Sequence, residues 1–126
     1  MRYLFLCLWL TTFPAMADEL DFLLATVPSQ RADTQTRLLQ RHLNLQGEQL
    51  EGIHQINLRY AEKAEPIIKG NQLRLLKLYS LRNIQQEKDQ ELQSLLSAEQ
   101  FEHYREEKER LFEAFKRELI AQRPHQ

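Results

Sequence analysis

The residues of this chain able to do chemistry are few and scattered. Its four histidines are His42, His54, His103 and His125, and no two stand at the i,i+3 or i,i+4 spacing by which one helix holds a metal ion. Glu99, His103 and Glu107 do share a helical face at steps of four. Solvated charged helices produce that pattern often, so it is read as surface and no metal site is assigned. The single cysteine, Cys7, lies inside an N-terminal apolar run, and no serine occupies a nucleophile elbow. Carboxylates are plentiful but fall on helix surfaces with nothing to desolvate them. No glycine-rich loop for phosphates is present. These patterns predict no catalytic residue, no metal, no cofactor and no enzyme.

Two other patterns carry information. The first is Leu96-Ser97-Ala98-Glu99-Gln100-Phe101, which has every part of a helix start. The Ser97 hydroxyl can accept from the Gln100 N–H while the Gln100 side chain reaches back to the Ser97 N–H, a capping box. Leu96 and Phe101 are placed as a hydrophobic staple. Fifty-one residues earlier stands Leu45-Gln46-Gly47-Glu48-Gln49-Leu50, with Leu45 and Gln49 at matching offsets and Gln46 as a poorer cap. The motif reads as structural, so that Ser97→Ala costs about 1 kcal/mol and Gln100→Ala less.

The second pattern is a mixture of leucines and cations. Between Pro66 and Gln86 the chain has Lys69, Arg74, Lys77 and Arg82 and no acid, whereas Glu87 to Glu118 holds ten acids against six bases. Leu73, Leu75, Leu76, Leu78 and Tyr79 sit within the basic stretch and point around most of a helix's circumference. Burial between helices or in a dimer accounts for such a segment; so does an exposed patch that binds a partner. The candidate partner-binding residues are therefore Leu73, Arg74, Leu75, Leu76, Lys77, Tyr79 and Arg82.

The elements that must position these residues are helices. Residues 1–17 read as a signal peptide: Arg2 is the positive start, residues 3–10 are apolar but too short to span a bilayer, and Ala15-Met16-Ala17 fits the small-x-small cleavage rule. Its removal takes Cys7, Trp9 and one cation, Arg2, so the net charge moves from −1 to −2. That balance gives no support to nucleic-acid binding, and no later run is long enough to cross a membrane.

Residues 18–122 form one helical domain. Its helices are expected at 18–27, 30–44, 47–69, 72–95 and 98–121. Pro28 should stop the first, Ser29 should cap the second, and Pro66 should kink or interrupt the third. In the fourth, Leu73, Leu78, Leu81, Ile84, Leu92 and Leu95 share a broad face. In the fifth the stripe is Phe101, Tyr104, Leu111, Phe112, Phe115 and Leu119, flanked by Glu106–Arg110 and Glu113–Arg117 pairs. Residues 123–126 should be a disordered tail. No stretch alternates as a strand, so the fold class is all-α.

A signal peptide, a small cysteine-poor helical chain and two spaced copies of L-[T/S]-x-x-Q together resemble the LTXXQ-motif family of bacterial periplasmic proteins, the Spy- and CpxP-like proteins. The copies are Leu96-Ser97-Ala98-Glu99-Gln100 and Leu45-Gln46-Gly47-Glu48-Gln49, and the likeness extends over about residues 40 to 115. It implies a small bent bundle of four to five helices with a long antiparallel hairpin, paired into a cradle-like homodimer. It also implies a periplasmic, ATP-independent chaperone of the envelope stress response that holds unfolded or partly folded proteins. The alternative it offers is a regulatory accessory or metal-responsive sensor that binds a membrane sensor protein.

Overall fold

A computed structural model describes residues 20–122. The signal peptide assigned to 1–17 and the tail at 123–126, with His125, lie outside the described residues. Among the described residues the chain is all-helical, with no strand. A short helix over 20–24 (α1) is followed by α2 (Pro28–Leu43), α3 (Gly47–Lys69), α4 (Arg74–Leu95) and α5 (Ala98–Ala121).

Helix starts follow local chemistry. The first helix ends at residue 24, short of the expected 27, where the Thr26 hydroxyl donates back to the Phe22 carbonyl at 3.0 Å. Pro28 does not stop it but opens the second helix, standing at the first helical position, where its missing N–H costs nothing. Ser29 is therefore inside α2 and does not cap it. Gln30 Oε1 instead accepts from the Val27 N–H at 3.4 Å. Asn44 ends α2 in the left-handed conformation, at φ 55°. Helix α3 runs without interruption through Pro66 to Lys69. The proline lies in the last turn, where few backbone bonds remain for it to disturb.

Helices α3 and α4 form the antiparallel hairpin, tied in descending order by Lys63–Glu87 at 2.6 Å and Arg59–Glu91 at 3.0 Å. They approach closely at Gly52, where a Cβ would fall 2.9 Å from Leu95 Cδ1. Helix α2 lies against α3, and α5 runs back along α2. Phe22 of α1 is fully buried and meets Phe115 edge-on, with ring centroids 6.0 Å apart. One core joins Leu38, Leu39, Leu43, Leu45, Ile53, Ile56, Leu92, Leu96, Tyr104, Leu111, Phe115 and Leu119. The expected α5 stripe is thus the core-facing side, with Phe101 half-buried and Phe112 exposed. Arg110 faces Glu107 one turn back, at 3.6 Å, rather than Glu106.

Candidate functional site

The two motif copies meet. Gln49 Nε2 donates to Gln100 Oε1 at 2.6 Å, and Gln100 Nε2 donates to Gln49 Oε1 at 3.3 Å. Each amide also reaches a helix end belonging to the other copy. Gln49 donates to the Leu95 carbonyl at 3.0 Å and Gln100 to the Leu43 carbonyl at 3.2 Å. Both carbonyls close helices that have no further intrahelical donor for them, so the glutamines satisfy groups that would otherwise need water. Leu45 and Leu96 are buried in the same core.

The capping box at Ser97 is formed: the Gln100 N–H donates to Ser97 Oγ at 3.1 Å, and the Ser97 N–H donates to Gln100 Oε1 at 2.9 Å. Gln46 contributes no side-chain cap. Gly47 opens α3 at φ +59°, where a side chain is strained. Sequence reading found both glutamines but assigned them only local capping. The equal offsets of the two copies were the available signal for their pairing.

The leucine and cation stretch occupies the first turns of α4. Leu73 is 74% exposed, Leu75 64%, Leu76 54% and Tyr79 66%. Leu78 and Leu81 are half-buried, and full burial on this helix begins only at Ile84, Lys88 and Leu92. The broad face expected from Leu73 onward is therefore a packed face only in the second half of the helix. Leu95 at its end is also exposed.

Arg74 and Arg82 are exposed. Lys77 differs from its expected role as a binding cation: it is half-buried and its Nζ donates to the Ile68 carbonyl at 2.9 Å. A lysine here satisfies the free carbonyl at the end of α3. Just beneath, Arg31, 2% exposed, donates to the carbonyls of Leu23 at 2.9 Å and Thr26 at 2.7 Å and pairs with Glu65. Lys69 also pairs with Glu65, at 3.0 Å. Burial pushes the Glu65 carboxyl up, but hydrogen bonds from Arg31 and Lys69 outweigh this and hold it below its ordinary value.

Sequence reading missed Lys88. It is buried, its Nζ donates to Gln35 Oε1 of α2 at 3.1 Å, and burial pushes its pKa down to about 8. It stands four residues after Ile84 and four before Leu92, on the packed face, and that spacing was the signal. Its neighbour Asp89 joins α4 to α5. Asp89 accepts from the Tyr104 hydroxyl at 2.5 Å and from Gln85 at 2.9 Å, and pairs with Lys108. Burial, then the Asp89 charge, raises the Tyr104 pKa.

A polar chain also crosses between α2 and α3. Buried Asn57 donates to Thr36 Oγ1 at 3.0 Å, which lies 3.2 Å from His54 Nδ1. Two solvent-facing clefts, of about 360 and 410 Å³, flank α2–α3 and the start of α5. Among the described residues no three His, Cys, Asp or Glu side chains are grouped to hold a metal ion. No described helix is long and apolar enough to cross a membrane.

No family model, curated protein or solved structure matches the chain.

Proposed function

We propose that the protein is an LTXXQ-like periplasmic holdase, which binds unfolded or partly folded proteins without ATP and carries no catalytic or metal site. The observation that supports this reading is the exposure of Leu73, Leu75, Leu76 and Tyr79 at the start of α4. A patch of apolar side chains on one helix end, with Arg74 and Arg82 nearby, offers a non-native chain shape-tolerant contact together with charge attraction.

The paired Gln49 and Gln100 are scaffold in this account. They fasten the start of α3 to the end of α4, leaving the first turns of α4 at the other end of the hairpin. A cradle-like homodimer would place two such patches on one assembly and raise avidity without a new contact. The test is light scattering by a chemically unfolded client diluted into the exported protein without nucleotide. Suppression at near-stoichiometric ratios supports holding. A saturable complex with one membrane sensor and no suppression would favour the accessory role instead.

A further inference from the structure

We propose that the first two turns of α4 also seat on an anionic phospholipid bilayer, with the leucines entering the headgroup boundary and Arg74 facing lipid phosphates. This goes beyond the holding of polypeptides and does not depend on it, although both use the same helix end.

Three observations on α4 and its surroundings favour a bilayer as the occupant. Leu73, Leu75, Leu76 and Tyr79 are each exposed over half or more of their surface, and they fall within two turns. Four such side chains amount to less than the ~800 Å² that each partner gives a stable protein interface. They are enough for shallow insertion, in which each buried apolar group adds its own transfer free energy. Tyr79 supplies an apolar ring with a polar tip, the kind of side chain favoured at membrane–water boundaries.

The second observation is charge. Lys69, Arg74, Lys77 and Arg82 stand in a 21-residue stretch, Pro66 to Gln86, that has no acid. Glu65 of α3 pairs with both Arg31 and Lys69. Lys77 is held on the Ile68 carbonyl, so Arg74, exposed in the first turn of α4, is the cation taken to face an anionic surface. The third is the helix start itself. Leu73 is the N-cap residue and provides no acceptor for the first-turn N–H groups, which leaves that end positive as well. No described helix is long and apolar enough to span, so contact would be superficial.

Vesicle flotation of the exported chain, its N-terminus fixed by mass, tests this. The vesicles are equal parts phosphatidylglycerol and phosphatidylcholine, compared with phosphatidylcholine alone. Bilayer seating predicts at least tenfold more bound protein on the anionic vesicles in 50 mM salt, and loss of most of it in 500 mM salt. Leu75→Ser with Leu76→Ser should reduce binding about tenfold at unchanged helix content, and Arg74→Glu should reduce it several-fold. These side chains are exposed, so folding should survive; were the double variant to lose helix, Arg74→Glu and Tyr79→Ser decide. No anionic preference, or undiminished binding by the variants, overturns the proposal. Suppressed client aggregation without vesicle binding would leave a polypeptide site alone and refute the bilayer, whereas vesicle binding without suppression would refute only holding.

Discussion

Gln100 takes part in four hydrogen bonds from one amide: it accepts from Ser97 and Gln49 and donates to Leu43 and Gln49. The sequence shows the Ser97 contact because a capping box is local. It does not show the others, because nothing local says that a residue 51 positions away is adjacent. The expected order of mutational costs therefore reverses. Ser97→Ala should cost about 1 kcal/mol, whereas Gln100→Ala should cost roughly 2 kcal/mol, since two donors and a helix-end carbonyl lose their partner together. Gln49→Ala with Gln100→Ala should fall short of the sum of the singles by about 1 kcal/mol, the mark of side chains in one network. Urea melts of the singles and the double measure both quantities; strict additivity would mean the amides act apart. Gly47→Ala should cost about 1 kcal/mol through its positive φ alone, as a Cβ there meets nothing within 4 Å.

Helix α4 is two elements in one. Its second half follows the helical period, and Ile84 and Leu92 are buried as the spacing predicts. Its first half has leucines all round, and periodicity alone cannot say whether neighbours cover them. Lys88 was hidden for the opposite reason: a charged residue reads as surface even when its position is on the packed face. Its burial makes a pH prediction. A lysine of the unfolded chain titrates near 10.5, and Lys88 in the fold at about 8. As pH falls through that window the unfolded chain takes up a proton that the native state does not, so stability falls and then levels below pH 8. Tyr60 is pushed up to about 12, first by its hydrogen bond to Glu91 and then by burial. Tyr104 is raised as well, so above about pH 10 the unfolded chain loses tyrosine protons first and stability falls again. Melts should show roughly 2 kcal/mol more stability at pH 9.5 than at pH 7. Lys88→Met should flatten that rise and stabilise the protein at pH 7; an unchanged slope would place the titration elsewhere.

At the scale of the whole molecule, the all-α class and the boundaries of α3 and α5 were legible, because each rests on period and capping within one segment; the hairpin was expected only from the resemblance. The packing of α5 on α2 was not, since several arrangements bury the same stripes. The direction in which Leu75, Leu76 and Tyr79 face depended on that packing. On the proposed function, α2, α3 and α5 form the body, the paired glutamines lock one end, and the start of α4 meets the client. Replacing Leu75 and Leu76 by serine should leave helix content and melting temperature within error, since both are exposed, while aggregation suppression drops several-fold. A photoreactive group attached through cysteine, in the chain beginning at residue 18 and so without Cys7, gives the most direct view of where a client sits. At Leu76→Cys it should crosslink a non-native client efficiently; at Phe112→Cys, also exposed but on α5, it should crosslink at least five-fold less. Equal labelling at the two positions, or stronger labelling at 112, would contradict a client site on the first turns of α4.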